Sequence, residues 1–288
     1  MTHMRPPRQI IKDKSGSLCL KILLVSSLIF IIVGWSLKIF LAASHQPPLE
    51  VIFFNVGQGD AALIKTPSRQ TILIDGGPDN SVLRGLGKNL SFFRRRIDTI
   101  IVSHYHDDHI TGLIEIINRY KVGKIIFPAE SPTSEISTIF LSAAQDKKIP
   151  IIFLSASATL EFAAGCQLFL LNPDVFDIKP DDNDSLIARL DCHQKRFLFT
   201  GDSNSKVERA LITSGLDWRA DVLKASHHGS ITANSEAFLR AVAPRLLIIP
   251  VGADNRFGHP SPVILDREVS LGILVRRTDQ DGEIRVKE

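Results

Sequence analysis

Cysteine is scarce in this sequence of 288 residues: there are three, and no two of them form a Cys-x-x-Cys pair. That scarcity excludes cysteine-based zinc modules and a thioredoxin-like redox motif. Cys166 and Cys192 lie in strand-like runs, where they could form a disulfide in an oxidising compartment or stay as two buried thiols. We therefore expect no cysteine among the ligands of a metal site.

Excess charge of either sign is also small, since the formal net charge is +3. Six basic residues and one acidic residue fall within the first 48 positions, which leaves the rest of the chain close to neutral. A protein that grips long nucleic acid over its whole surface normally has a basic face, so this composition allows only local contacts with nucleic acid. The one concentrated basic run of the body, Arg94-Arg95-Arg96, is either a solvated helix end or a phosphate contact near a site.

Long hydrophobic runs are limited to one, from Leu18 to Ala43. Its length predicts a single transmembrane anchor, preceded by a basic tail at residues 1–17. Because basic flanks stay in the cytoplasm, such an anchor leaves the tail inside and exports residues 49–288 across the inner, or plasma, membrane. A cleaved signal peptide ending near Ala43 and a buried core helix are the alternatives.

The body, residues 49–288, consists of short apolar runs separated by tight turns and interspersed with helix-like stretches. Strand-like runs such as Leu49–Asn55 and Thr71–Asp75 open the first half, and the second half repeats the theme with helices at Ser205–Thr213 and Ser235–Val242. Two strand-rich halves with interspersed helices predict an α/β (α+β) fold in which two sheets pack face to face and helices cover them.

The segment from Ser103 to Gly112 carries an unusual density of metal-ligating side chains directly after an apolar, strand-like run. Four candidates fall within six residues: His104, His106, Asp108 and His109. Imidazole nitrogens and carboxylate oxygens suit a divalent metal such as zinc, and a short loop can turn alternate side chains toward one point. Any one histidine could simply bond to the backbone, but the cluster predicts a metal site at the carboxyl end of a strand, before a helix from His109 to Tyr120.

Two strands of the second half also end in polar residues. Asp202 follows the apolar run before Thr200-Gly201, and His227 and His228 follow the run that begins at Val222. Alone, Asp202 is typical of a turn or a helix cap, and either histidine is typical of a surface. Together with the first cluster they indicate convergence on one metal centre, where a carboxylate such as Asp202 can bridge two cations about 4 Å apart.

These motifs resemble those of the metallo-β-lactamase fold superfamily over residues 49 to about 265, and within it the carboxy-terminal hydrolase domain of the ComEC competence proteins. The segments that carry the resemblance, beyond the candidate ligands, are Phe54–Asp60, Leu73–Gly77, Asn183–Leu186, Thr200–Asp202, His227–Ser230 and Asn255–Pro260. The resemblance implies an αββα sandwich with a two-metal hydrolase site at one edge, holding Zn²⁺ or Mn²⁺, and it suggests DNA as the substrate.

Carried over to this chain, the resemblance assigns two metal positions that share a bridging carboxylate. The expected ligands are His104 and His106 for the first metal, Asp108, His109 and His227 for the second, and Asp202 between them. The same transfer gives Asp108 a further role in orienting the attacking hydroxide. His228 and His259 are expected to contact the phosphate or protonate the leaving oxygen, although His259 in Gly-His-Pro could be a turn residue.

Two departures from the family pattern limit what the resemblance implies. The polytopic channel of the ComEC proteins is missing from this chain, so DNA transport would need a separate uptake channel as partner. The metal-binding histidine that many superfamily members carry before the Asp202 strand is replaced by Asp181-Asp182-Asn183-Asp184-Ser185.

The sequence therefore predicts a membrane-anchored, metal-dependent phosphodiesterase or nuclease. The alternatives are a hydrolase of a lactone or a cell-surface phosphodiester, and a non-enzymatic scaffold stabilised by metal.

Overall fold

The structure, a computed structural model, describes residues 14–44, 46–91, 95–129, 132, 134–176 and 185–288. The chain divides into two units, residues 1–46 and residues 47–288. In the first unit a single helix, α1, runs from Lys14 to Ser44 and covers the predicted anchor. In the part of the chain that is described, no helix combines the length and the apolar character that crossing a membrane requires.

The second unit contains two seven-stranded sheets. The first sheet has the order β14-β1-β2-β3-β4-β5-β6, and the second has the order β13-β12-β11-β10-β9-β8-β7. The strands of the first sheet are β1 (Glu50–Phe53), β2 (Ala62–Lys65), β3 (Thr71–Ile74), β4 (Arg96–Ile101), β5 (Lys121–Pro128), β6 (Ile151–Leu154) and β14 (Ile284–Lys287). The strands of the second sheet are β7 (Ser157–Phe162), β8 (Cys166–Leu171), β9 (Ile187–Cys192), β10 (Lys195–Phe199), β11 (Val222–Lys224), β12 (Leu246–Ile249) and β13 (Leu274–Arg277).

Each sheet is antiparallel in one half and parallel in the other. In the first sheet β3 to β6 run parallel, and in the second sheet β10 to β13 do so. Parallel neighbours need crossover connections, which the helices supply. The helices of this unit are α2 (Ser81–Asn89), α3 (Asp107–Arg119), α4 (Glu135–Asp146), α5 (Ser205–Thr213), α6 (Glu236–Val242), α7 (Pro262–Ser270) and α8 (Thr278–Asp281).

Three buried apolar clusters define the layers. The central cluster joins residues of both sheets, as in the contact between the rings of Phe53 and Phe199, whose centroids lie 5.8 Å apart. A second cluster lies between the first sheet and helices α2 to α4, and a third lies between the second sheet and helices such as α5 and α6. The layers confirm the prediction of two sheets packed face to face and covered by helices.

Several sequence-based boundaries shift by one or two residues for a local reason. Helix α3 begins at Asp107 rather than at His109, because His106 has the extended backbone of an N-cap residue and two acidic residues occupy the first turn. Helix α6 begins at Glu236 rather than at Ser235, because Ser235 is the N-cap residue and its side chain accepts a hydrogen bond from the amide of Phe238.

Cys166 and Cys192 form a disulfide between the directly paired strands β8 and β9. Of the two alternatives for these cysteines, the structure therefore has the disulfide. Both side chains are buried in the cluster between the sheets, so they lie apart from the polar strand ends.

Candidate metal centre

The carboxyl ends of parallel strands from both sheets supply the polar residues of the candidate site. Asp75 follows β3, the segment His104 to His109 follows β4, Asp202 follows β10 and His228 follows β11. Loops at the carboxyl ends of parallel strands meet at one edge of a sheet, which is where open α/β proteins place ligands.

The segment after β4 is fixed by close contacts of its backbone. The amide of Gly76 donates to the carbonyl of His109 at 2.7 Å, which ties the turn after β3 to the start of helix α3. Gly59 lies directly against this segment, and a Cβ atom there would collide with the carbonyl oxygen of Asp108. Only glycine allows such an approach at a φ of +142°, which explains the Gly-Gln-Gly-Asp turn that ends in Asp60.

Two groups of potential ligand atoms share Asp202. Each residue of a group offers one potential ligand atom, and within a group these atoms all lie within 4.8 Å of one another. The first group consists of His104, His106 and Asp202, and the second consists of Asp108, His109, Asp202 and His228. The shared carboxylate lies 3.4 Å from His109 Nε2 through Oδ1 and 4.0 Å from His104 Nε2 through Oδ2.

Unpaired buried atoms show that these residues suit a cation. Four buried side-chain atoms of the site have no hydrogen-bond partner among the described residues. They are Nε2 of His104, His109 and His228, and Oδ1 of Asp202. Burying such atoms without a partner costs free energy, unless a metal ion accepts their lone pairs. The donor set of imidazole nitrogens and carboxylate oxygens fits Zn²⁺ or Mn²⁺.

Hydrogen bonds at the opposite ring nitrogens set the tautomers that ligation requires. Nδ1 of His109 lies 2.9 Å from Oδ2 of Asp75, and Nδ1 of His228 lies 2.9 Å from the carbonyl oxygen of Pro250. A proton on Nδ1 leaves the lone pair of Nε2 free for a metal ion. Asp75 also accepts hydrogen bonds from the amide and the hydroxyl of Ser103, so one carboxylate holds both the ring of His109 and the start of the turn.

A buried lysine lies beside Asp202, the carboxylate that the two groups share. Lys224, the last residue of β11, is 3% exposed and forms an ion pair with Asp60. Its Nζ donates to the carbonyl of Gly201 at 2.7 Å and lies 3.6 Å from Oδ1 of Asp202. Neither Lys224 nor Asp60 was among the site residues predicted from the sequence. A charged residue inside an apolar strand-like run was the signal that could have identified the lysine.

The pKa values of the site follow from burial combined with close opposite charges. Burial alone would raise the pKa of Asp202, but His228, His109 and Lys224 hold it well below its usual range. Burial alone would lower the pKa of His228, whereas Asp202 and Asp60 raise it to about 9. In the absence of metal a proton therefore occupies the cluster, and metal binding must displace it.

The structure separates the two histidines that follow β11. His228 lies in the second group, with Nε2 3.4 Å from Oδ2 of Asp108, although the sequence analysis gave it a role toward the leaving group. His227, the expected ligand, lies outside both groups, with Nε2 3.7 Å from Oδ2 of Asp202 and a side chain that is 26% exposed. Both residues have left-handed backbones, with φ of 48° and 51°, and the resulting chain reversal directs the two rings differently.

Two other expectations concern the surroundings of the metal groups. His259 is half-buried, and its ring lies 5.6 Å from that of His227, at the mouth of the site. The residues that replace the missing family histidine lie outside the described residues except for Ser185, whose hydroxyl accepts a hydrogen bond from the amide of Asp202. Arg94 of the basic run also lies outside the described residues.

Comparison with known proteins agrees with this geometry. A family model described as the metallo-beta-lactamase superfamily matches residues 54–252. ComE operon protein 3 of Bacillus subtilis is 27% identical over 255 residues, which cover 83% of this chain and 33% of that protein. Competence protein ComA of Neisseria gonorrhoeae is 29% identical over 240 residues, which cover 82% of this chain and 32% of that protein. The chain thus spans about a third of the length of these relatives.

Among solved structures, the metallo-beta-lactamase fold protein YhfI from Bacillus subtilis matches with a TM-score of 0.58 and 13% identity, covering 84% of this chain and all of that one. A likeness at that identity supports the fold alone. The family match, which covers more than half of the chain, and the similarity to competence proteins confirm the resemblance that the sequence motifs indicated. The chain belongs to the metallo-beta-lactamase superfamily, as a metal-dependent hydrolase.

Proposed function

We propose that this hydrolase is a two-metal phosphodiesterase that cleaves DNA. The observation that carries the proposal is the position of Asp202 between two groups of ligand atoms. A shared carboxylate suits two cations about 4 Å apart, the arrangement that serves both oxygens of an in-line phosphoryl displacement. When bound, such cations lower the pKa of water and neutralise developing charge on the phosphate.

Each side chain of the cluster has a role that its contacts support. His104 and His106 form the first position with Asp202, and Asp108, His109 and His228 form the second with the same carboxylate. We assign His228 rather than His227 to the second position, because its unpaired, buried Nε2 faces Asp108 and Asp202. Asp108 is one-third exposed, so its carboxylate is also accessible to water, as a role in orienting the attacking hydroxide requires.

Two histidines at the mouth are the candidates for proton transfer to the leaving oxygen. The pKa of His227 and that of His259 are both lowered, chiefly by burial. A neutral imidazole near physiological pH can accept a proton from water and return it, at Nε2 or Nδ1, to an alkoxide. This assignment keeps the role that the sequence analysis gave to His259 and transfers the role of His228 to His227.

The choice of DNA is supported by the names of the relatives, which are a competence protein and a product of a competence operon. Because the matched region is about a third of those proteins, their substrate is transferred to this chain only as part of the proposal. The near-neutral body of the chain is consistent with local contacts to a short stretch of DNA rather than with a long basic track.

We also propose that the amino-terminal unit anchors the catalytic unit on the outer side of the cytoplasmic membrane, where a separate channel protein would handle DNA transport. The apolar run from Leu18 to Ala43 and the basic residues before it support the anchor and its orientation. The disulfide between Cys166 and Cys192 supports the exported location, because disulfides persist mainly in oxidising compartments.

The test uses the full-length protein, purified in detergent and supplied with Mn²⁺ or Zn²⁺. We expect cleavage of linear single-stranded DNA and of bis-p-nitrophenyl phosphate, abolished by EDTA. His193→Ala, which changes an exposed histidine remote from the cluster, serves as the control variant and should retain activity. Absence of turnover with both substrates while metal is bound would refute the phosphodiesterase, and turnover of a lactone instead would identify a different hydrolase.

A further inference from the structure

A row of side chains leads from the surface to the bridging carboxylate. The guanidinium carbon of Arg256 lies 5.2 Å from the centre of the Phe257 ring, and that ring stacks on His259 at 5.9 Å with an interplanar angle of 17°. His259 contacts His227 at 5.6 Å, and Nε2 of His227 lies 3.7 Å from Asp202. Two successive ring-to-ring contacts therefore connect Phe257 to His227, which lies next to Asp202.

The outer end of this row is open to solvent. Phe257 is 56% exposed, and the only other phenylalanines of the described residues with large exposure are Phe30 of helix α1 and Phe153 of strand β6. Burying a phenylalanine side chain stabilises a protein, so an exposed ring forgoes much of that stabilisation. A single exposed apolar residue needs no explanation, but this one is ordered against a histidine at the mouth of the site.

The loop that carries Phe257 is held rigidly by Asn255. The side-chain amide of Asn255 donates to the carbonyls of Gly252 and His259, and its oxygen accepts hydrogen bonds from the amides of Phe257 and His259. The amide of Ser261 then donates to the carbonyl of Gly229 at 3.0 Å, which joins the loop to the turn of His227 and His228. A ring held in place before binding loses little entropy when a ligand stacks on it.

The chemistry of the row identifies what it could hold. The flat, exposed ring of Phe257 can stack on another aromatic ring, and Arg256 adds a cation beside it. Nucleotides are the biological phosphodiesters that carry an aromatic ring close to each phosphate, and stacking on an aromatic side chain is a common way to bind their bases. The base must be unpaired, because the face of a base inside a duplex is already covered by its neighbours.

We propose that Phe257, flanked by Arg256 and His259, is a nucleobase-binding subsite that stacks an unpaired base next to the phosphate being cleaved. This inference rests on the proposed phosphodiesterase and specifies single-stranded nucleic acid as its substrate. Stacking accepts every base, so the subsite selects strandedness rather than sequence.

The experiment compares two end-labelled oligonucleotides of equal length and charge, one with all its bases and one abasic throughout. The variants are Phe257→Ala, Phe257→Trp and, as a matched control on the other sheet, Phe153→Ala. We expect Phe257→Ala to raise KM for the base-bearing strand by about 5- to 150-fold, which corresponds to the loss of one stacked base, and to leave the abasic strand unchanged. Phe257→Trp and Phe153→Ala should behave as the wild type with both strands.

Binding of the same labelled strands in EDTA, measured by fluorescence anisotropy, tests the subsite without turnover. Three results would overturn the subsite. The first is an equal loss of binding for both strands in Phe257→Ala, and the second is an effect of similar size in Phe153→Ala. The third is cleavage of duplex DNA as fast as that of single strands. A wild type that cleaves neither strand but binds the base-bearing one through Phe257 would instead refute the proposed reaction and keep the subsite. Unchanged unfolding midpoints and metal contents of the variants establish that the site is intact.

Discussion

The two sheets contribute to the metal centre in different ways. The turn after β4 of the first sheet supplies His104, His106, Asp108 and His109 from one short segment. The second sheet supplies one candidate ligand at a time, Asp202 after β10 and His228 after β11. Ligands in one segment keep their mutual spacing whenever the turn forms, whereas Asp202 and His228 approach that turn only after the two sheets have packed.

The charged residues that contact the candidate ligands also differ between the two sheets. The ligand turn of the first sheet is backed by an anion, since Asp75 holds Nδ1 of His109. The shared carboxylate of the second sheet, Asp202, lies next to a cation, Lys224, which is paired with Asp60. An anion that accepts a hydrogen bond from the far nitrogen of a histidine raises the affinity of that histidine for a metal ion. A cation next to a carboxylate lowers the affinity of that carboxylate for a metal ion. The contrast predicts opposite responses when each support is removed.

The largest expected effect comes from Asp202, because both metal groups include it. Asp202→Ala should abolish turnover and lower the bound metal toward zero, whereas Asp108→Ala should remove metal from the second group only. Loss of activity should exceed the roughly 100-fold that follows from changes outside the ligand set. Elemental analysis after dialysis against Mn²⁺ measures the stoichiometry, and thermal unfolding of both variants checks the fold. If Asp202→Ala kept the metal content of the wild type, the shared carboxylate would be ruled out.

The next effect concerns the cation of the second sheet. Lys224→Met removes the lysine paired with the buried Asp60 and leaves that carboxylate, among the described residues, only the contact of its Oδ1 with Nδ1 of His228 at 3.3 Å. The change should cost about 3–5 kcal/mol of unfolding free energy, measured by denaturant titration without metal. Metal affinity should move the other way, because a positive charge 3.6 Å from Asp202 has been removed. Competition with a chelator then gives a lower Kd for Mn²⁺ than the wild type has.

The double variant Asp60→Asn, Lys224→Met is the matched control for that prediction. It also removes the charge of Asp60, which the single variant leaves buried without its lysine, so it should recover part of the lost stability. Weaker metal binding in Lys224→Met, with the fold intact, would show that the lysine holds Asp202 in position rather than opposing the cations.

The same difference between the sheets explains which parts of the site were predictable from the sequence. Four ligands within six residues can be recognised without a fold, because the spacing is local. Asp202 was predictable only from its place after an apolar strand-like run, taken together with the first cluster, and from its resemblance to a family motif, because no other candidate ligand lies next to it in the sequence. The choice between His227 and His228 depends on two successive left-handed residues, a conformation that His-His-Gly does not dictate.

The fold was predictable to a similar extent. Apolar periodicity and turn residues predicted two sheets covered by helices, and helix α5 has the predicted bounds, Ser205–Thr213. Strand β14 was missed, because its place beside β1 at the edge of the first sheet depends on pairing between the two ends of the catalytic unit. The pairing of Lys224 with Asp60 was missed for the same reason, since it joins β11 of the second sheet to the turn before β2 of the first.

The smallest effect should come from the anion behind the first turn. Asp75→Asn keeps the shape of the side chain but removes the charge that faces Nδ1 of His109, so metal affinity should fall by about 10- to 100-fold. Asp98→Asn is the matched control, because Asp98 lies near the start of β4, at the opposite end from the ligand turn, where it accepts a hydrogen bond from the amide of Thr71. Chelator competition should give a weaker Kd for Asp75→Asn alone. A lower Kd for Asp75→Asn would contradict the contrast with Lys224. The anion of the first sheet and the cation of the second would then affect metal binding in the same direction.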